Sequence, residues 1–416
     1  MPLAPARERL VRKAADLTRS SRLGETWVMR LRQLVGCMFA VSMLHCGEDA
    51  TDVTEPIREL TLVTFNAALG VGLAPYAEQR LDAIERDLPL LGADVVCLQE
   101  VWLPENIERL TASLASLYPF SLRSVRAAGA AGAACTDAEA ALLSSCLSEN
   151  CASVAPDGLP LCAISSCAGQ FTQVSMSCQQ CIAANQSAMD VENLASLCAA
   201  DDGEASSYQD QSGLAILSRH PLEDIGYQPF ESSLGDRGLL SARLRTAFMG
   251  DVAIHCTHLA ATLSEIPYTG AYGSWQGERL RQIEQMLARV AATRPAAGSA
   301  IMLGDMNCGP STALAEAASP DAYAQLVEAG FDDPYVDLDG RCTFCDNNPL
   351  NGLVSDPDEG ALIDHVLVSA TEIPASAATR VFDEVISIDA GGPVDTARSD
   401  HYGVLVQLSA TETVSP

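Results

Sequence analysis

The chain has 416 residues, 48% of them hydrophobic and 19% charged, a balance that excludes a disordered protein and leaves room for a large buried core. Its formal net charge is -29, and from residue 50 onward 17 Arg face 49 acids with no Lys at all. Such a field repels nucleic-acid phosphates and anionic lipids at long range, so it disfavours any polyanionic partner unless a local Arg cluster overrides it.

The first 49 residues have the opposite balance, eight Lys/Arg against five Asp/Glu. Arg30 and Arg32 precede the apolar run "LVGCMFAVSML", residues 34–44, which has the length of a signal-peptide core and is too short to span a bilayer as a mature helix. Residues 1–46 therefore read as an export signal, with Met29 as an alternative start. Cys46 in "LHCGED" is a candidate lipidation site, although His45 is not the small residue such sites want. The expected location is outside the cytoplasm, secreted or anchored by lipid to a bacterial envelope. No later stretch approaches 18 consecutive strongly apolar residues, so no integral membrane span is expected in the mature chain.

From residue 55 to about 410 the elements read as one domain. A strand through "ELTLVTFNAAL" is followed by a helix through "YAEQRLDAIERDLPLLG", a buried strand "ADVVCLQEVW" and an amphipathic helix "ENIERLTASLASL". Composition then breaks at "RAAGAAGAACTDAEA". Order resumes with "GLAILSRHPL", "GLLSARLRT" and "DVAIHCTHLAA", then the helix "QGERLRQIEQMLARVAA" and the strands "SAIMLGDMN", "ALIDHVLVSA" and "SDHYGVLVQLSA". Short strands mixed with surface helices suggest a two-layered β core flanked by helices.

The break, residues 127–207, follows its own rule. Cys135, Cys151 and Cys167 are spaced 16 apart, Cys146, Cys162 and Cys178 repeat that spacing, and Cys181 and Cys198 bring the total to eight. An even number at regular spacing in an exported chain reads as a disulfide framework. A metal cluster would bring His nearby, and the segment has none. A small helical insert is expected, with its pairing left open. Cys342 and Cys345 could form a further bridge, while Cys97 and Cys256, in apolar strands, read as free thiols.

Polar groups stand after the apolar runs. They are Asn66 in "TFNAAL", Glu100 in "CLQEVW", His258 in "CTHLAA", Asp305 and Asn307 in "GDMN", Asp364 in "LIDHVLV", and Asp400 with His401 in "SDHYG". Any one of them has a dull explanation, as a turn cap or a hydrogen-bonded core residue. Six such sites, spread over more than 330 residues, do not. Buried carboxylates cost several kcal/mol unless paired or metal-bound, so a group of them implies a cation. Hard oxygen donors without a Cys/His tetrad suit Mg²⁺, with Mn²⁺ or Ca²⁺ as alternatives. Two His beside such an ion make an arrangement able to cleave a phosphodiester.

These motifs resemble the endonuclease/exonuclease/phosphatase superfamily, which includes pancreatic deoxyribonuclease, apurinic endonucleases, inositol phosphate phosphatases and neutral sphingomyelinases. "TFNAAL", "CLQEVW", "SGLAILSR", "THL", "GDMN", "IDHVLVS" and "SDHYGV" fall in the family's order over residues 59–408, apart from the cysteine insert. The resemblance implies a four-layered α/β sandwich with its site at one end of two packed sheets. It implies Glu100 as the main Mg²⁺ ligand, helped by Asn66, with Asp400 near the metal. Asp305 would orient or activate the attacking water and Asn307 would hold a phosphate oxygen. His401 would be general base or transition-state stabiliser, oriented by Asp364. His258 would contact the phosphate or protonate the leaving group. His365 stands where the family commonly has Tyr and reads as a packing variation.

Two substrate classes compete. The "THL" form, the "GERLRQIEQM" helix and "CTFCDNNPL" (342–350) resemble sphingomyelinase-like members, and a zwitterionic phospholipid headgroup at a membrane surface suits the acidic chain. An extracellular nuclease, for which Arg237, Arg243, Arg279 and Arg281 could supply phosphate contacts, or a hydrolase of another phosphate ester is the alternative. A non-enzymatic surface protein is a third reading. The sequence does not choose an oligomeric state.

Overall fold

The computed structural model describes residues 59–70, 74–124, 133–154, 162, 165–175, 178, 198–199, 212–264, 266–296, 298–351, 360–369 and 374–409. The expected export signal, residues 1–46, lies outside the described residues. Among the described residues no helix is long and apolar enough to cross a membrane.

Two six-stranded sheets form the core. The first runs in the order β11 (Ala375–Val381), β14 (Gly403–Ser409), β1 (Glu59–Asn66), β2 (Val95–Gln99), β4 (Ala215–Ser218) and β3 (Phe120–Arg123). The second runs β5 (Glu223–Pro229), β6 (Gly238–Thr246), β7 (Gly250–His258), β8 (Ser299–Asp305), β10 (Asp364–Ser369) and β9 (Phe331–Asp332). A separate hairpin pairs β12 (Ile386–Asp389) with β13 (Pro393–Thr396).

The side-chain alternation of each strand explains the layering. On β1, Leu60 and Leu62 enter the core between the sheets, while Val63 and Phe65 pack outward with Leu81 and Ile84 of the helix Ala77–Asp87. On β8, Ile301 and Leu303 face inward, and Ala300 and Met302 meet Ile283 and Met286 of the helix Trp275–Thr293. Strands with both faces covered must be apolar throughout, which is why these segments read as continuous hydrophobic runs. The result is helices, sheet, sheet, helices: the four-layered α/β sandwich.

Alternation also places the polar groups. Asn66 on β1, His258 on β7, Asp305 on β8 and Asp364 on β10 share the inward parity of their strands. In the second sheet, His258 pairs with Asp305 and Asp305 with Asp364 at the same register level. One end of the inter-sheet core is therefore polar.

Inward parity overturns the expectation for two cysteines. Cys97 on β2 and Cys256 on β7 face each other across the sandwich and form a disulfide with Cα atoms 5.5 Å apart, 159 residues apart in sequence. They are not free thiols, because both apolar strands direct these side chains to the same inter-sheet space. This bridge closes a much longer loop than any in the insert, so replacing both residues with Ala should cost about 2–5 kcal/mol. Urea unfolding without reductant measures it, and an unchanged midpoint would count against a stabilising role.

In the insert, Cys135–Cys178, Cys146–Cys167 and Cys151–Cys162 are bridged, each pair nested inside the previous one in sequence. Cys198 is disulfide-bonded as well. The helix Asp137–Asn150 begins with a capping box in which Thr136 and Glu139 exchange bonds with each other's backbone. Among the described residues the one free cysteine is Cys308, which is buried.

Candidate active site

The polar end is assembled from both sheets. Asn66, at the end of β1, donates through Nδ2 to Glu100 Oε1 at 3.3 Å and to Asp305 Oδ2 at 3.0 Å. It thereby joins the first sheet to the second. Its own Oδ1 accepts from the Ala68 N–H, so the amide as placed orients Glu100 rather than offering that carboxylate's cation an oxygen. Gln99 holds the inward position that ends β2, and strict alternation would aim Glu100 away. A left-handed backbone at Glu100, φ 57°, turns it back toward the site. Such a conformation costs a non-glycine residue about 1–2 kcal/mol. Gly213 makes room for it: a Cβ there would lie 3.2 Å from Glu100 Cα.

Asp305 is the hub. Its Oδ2 lies 3.3 Å from His258 Nε2 and 3.9 Å from His401 Nε2, and its Oδ1 accepts the Asn307 N–H at 2.8 Å. Burial pushes the Asp305 carboxyl up to about 7, aided by Asp364 and opposed by His401, the Asn307 N–H and Asn66. Asn307 also sits at positive φ, 50°, and donates to the Leu259 carbonyl.

The two His are in opposite electrostatic states. Arg237 Nη1 is 2.7 Å from His258 Nδ1, and a guanidinium only donates, so His258 carries its proton on Nε2, facing Asp305 and Glu100. Burial, then Arg237 and His401, hold His258 well below the ordinary imidazole range, hence neutral. Burial would also lower His401, but Asp364, 2.8 Å from its Nδ1, together with Asp305 and Asp400, raises it well above that range. Environments that push neighbouring groups apart in this way separate acid from base.

Glu100 is raised by burial and by Asp400, and Arg237, His401 and Asn66 only partly offset this. A buried carboxyl whose ionisation is opposed by a neighbouring acid is what a divalent cation relieves, and the carboxylate donors here are oxygens. Glu100 with Asp400 thus fits an oxygen-preferring ion, and Asn66 serves it by orienting Glu100 through its amide N–H. Asp305, Asp364 and His401 also lie close enough to hold a metal. There, however, His401 Nδ1 and Asp364 Oδ2 are engaged with each other. The Asp400 carboxylate itself accepts from Ser399 Oγ at 3.2 Å.

Several supporting residues carry no strand-end motif. Arg80, fully buried, donates to the carbonyls of Pro75, Ala67, Ala68 and Arg398, pinning the loop after Asn66 to the segment before His401. Buried Glu278, Arg279 and Gln282 of the helix Trp275–Thr293 fasten the loops around it: Gln282 accepts from Ala260 N, and Arg279 donates to the Ala260 carbonyl and Ser319. His365 does pack in the core, between Asp333 at 2.6 Å and the Cys308 carbonyl at 2.7 Å. Charged residues on a helical stretch signal solvent by default, so their burial here was not legible.

The four arginines considered for a polyanion do not form a cluster. Arg243 pairs with Glu223, Asp224 and Asp251, Arg281 with Glu231 and Glu284, and Arg279 is buried. Arg237 alone of the four bonds to a site residue, its guanidinium 5.6 Å from the Trp102 ring centroid.

A family model described as "Endonuclease/Exonuclease/phosphatase family" matches residues 63–401. No curated protein matches the chain. Among solved structures, sphingomyelinase C from Streptomyces griseocarneus aligns at 18% identity with a TM-score of 0.53, over 84% of this chain and 99% of that one. The protein SmcL aligns at 14% identity with a TM-score of 0.54, over 85% and 99%. A double mutant of beta toxin from Staphylococcus aureus, with bound magnesium ions, aligns at 14% identity with a TM-score of 0.51, over 84% and 99%. At these identities the likeness is one of fold.

Proposed function

The chain belongs to the endonuclease/exonuclease/phosphatase family, and on that premise we propose that it is an exported, Mg²⁺-dependent phosphodiesterase that cleaves phospholipid headgroups as a sphingomyelinase-like phospholipase C. The observation that carries the hydrolase reading is the geometry at Asp305, whose Oδ2 lies 3.3 Å from Nε2 of His258, bonded to Arg237, and 3.9 Å from Nε2 of His401, bonded to Asp364. Water attacks phosphorus as its proton passes to Asp305. His258 Nε2–H and the Asn307 amide steady the phosphoryl oxygens. The ester P–O bond breaks as His401, held by Asp364, gives its proton to the departing oxygen. This acid role, which the resemblance offered to His258, passes to His401 because Asp364 favours its charged form while burial and Arg237 disfavour that of His258. Mg²⁺ held by Glu100, with Asp400 and Asn66 beside it, would polarise a phosphoryl oxygen.

The headgroup assignment draws support from three sides. The acidic chain repels polyanions, the four arginines are scattered, and proteins with sphingomyelinase C among them share the fold. Export is supported by five disulfides among the described residues, which persist where thiols oxidise. The test is a parallel assay on sphingomyelin vesicles, plasmid DNA and soluble phosphate esters, with and without Mg²⁺. Metal-dependent phosphocholine release should exceed the other two activities. Faster plasmid nicking would replace the headgroup reading with the nuclease one, and inactivity on every ester would remove the hydrolase reading.

A further inference from the structure

The "CTFCDNNPLN" segment, residues 342–351, encloses the His401–Asp364 pair in a way the reaction scheme does not use. Cys342 and Cys345 are bridged, with Cα atoms 5.5 Å apart. The two residues inside the bridge hold both members of the pair. Thr343 Oγ1 accepts from the N–H of Ile363 at 3.0 Å and of Asp364 at 3.1 Å, and the Thr343 carbonyl accepts from Tyr402 N at 2.8 Å. Phe344 forms β-bridges with both Ala361 and His401, and its ring centroid is 5.0 Å from that of His401.

The residues after the bridge hold the same segment from behind. Asn348 Nδ2 donates to the Ser399 carbonyl at 2.9 Å, and Asn351 Nδ2 donates to the carbonyls of Cys345, at 2.7 Å, and Asp400, at 3.2 Å. Gly360 clears space for the sulfurs, since a Cβ there would lie 2.8 Å from Cys342 Sγ. Arg380 donates to the Cys342 carbonyl at 3.0 Å, approaches Cys345 Sγ at 3.4 Å, and its guanidinium carbon stands 4.7 Å from the Tyr402 ring centroid. A guanidinium beside a sulfur favours the thiolate, so this bridge has a ready leaving group when attacked. Cys345 is fully buried and Cys342 half-buried, which leaves the Cys342 end as the approach.

We propose that the Cys342–Cys345 bridge is a positioning element for the His401–Asp364 pair, and that opening it with a dithiol lowers turnover without weakening substrate binding. The inference rests on the reading that His401 transfers the proton. Reduction breaks the S–S bond and forms two thiols, and the dithiol supplies both electrons and both protons as it closes to its own disulfide. Because the bridge spans only three residues, its loop-closure contribution to global stability is small beside that of Cys97–Cys256. Its effect is on where Thr343 and Phe344 sit, and misplacement near a reacting group by about 1 Å can cost about 10²-fold.

The test treats the full-length protein with graded dithiothreitol, measures kcat and KM, then alkylates with iodoacetamide and maps the modified cysteines by mass spectrometry. Turnover should fall about 10-fold or more in step with labelling of Cys342 and Cys345, with KM within about twofold. The Cys342→Ser/Cys345→Ser variant should show the same loss and no further response to mild dithiol. In proton NMR, the downfield resonance of His401 Nδ1–H, identified by its loss in Asp364→Asn, should broaden or shift on reduction. Full kcat with Cys342 and Cys345 labelled, or loss that tracks the other cysteines, overturns the proposal. Should the double variant fail to fold, the wild-type labelling course decides. A wild type inactive on every phosphodiester removes the function above, while the NMR signal still tests the positioning.

Discussion

Glu100→Gln should abolish the Mg²⁺-dependent part of turnover and the calorimetric signal of Mg²⁺ binding, while the protein stays folded. Glutamine keeps the length and the contact with Asn66, but it removes the charge that a hard cation needs. Stability should hold or rise. The folded state raises the Glu100 carboxyl through burial and Asp400, so it favours the neutral form, and glutamine is permanently neutral. A site that is destabilised for its chemistry behaves this way on substitution. Full turnover in the variant, or in wild type with excess chelator, would remove Glu100 from the metal-binding role.

His401→Ala should lower kcat by about 10²–10⁴-fold, the range that a positioned proton donor supplies. It should also destabilise the fold, because Asp364 is fully buried, its Oδ1 has no hydrogen-bond partner among the described residues, and its charge would lose the imidazolium. The pH dependence follows from the raised pKa of His401. Its charged pairing contributes fully below the unfolded value of about 6.5 and is lost as pH rises through the higher folded value. The gap in Tm between wild type and His401→Ala should therefore be largest near pH 6 and narrow on the alkaline side. Adding Asp364→Asn should recover Tm without recovering kcat. If His401→Ala keeps more than about a tenth of wild-type turnover, another group carries the proton.

The strands and the polar groups at their ends were legible in the sequence because both are local. An apolar run with an Asn, His or Asp at its end states its own parity, and parity decides whether Asn66, His258, Asp305 and Asp364 face the core. Seven motifs in the family's order, through that resemblance, also implied the sandwich. Glu100 was legible as a site residue, but its φ of 57° was not, since only the packing of Gly213 against it shows how a residue out of phase is turned inward.

What the sequence left open depends on which surfaces meet. Cys97 and Cys256 look like ordinary core thiols until two sheets are stacked with those positions opposed. Arg80 looks like a solvent-facing helix residue until four backbone carbonyls, three from the preceding loop and one 318 residues away at Arg398, close around it. The opposite states of His258 and His401 likewise have no local signature. Each is a histidine after an apolar strand or before one, and the charges that gather around each in the fold, Arg237 beside the first and Asp364 beside the second, separate them. Alternation along a strand is set by backbone geometry and needs no partner, whereas a disulfide, a buried guanidinium or a shifted pKa is a property of two surfaces in contact, and the tertiary fold alone chooses those surfaces.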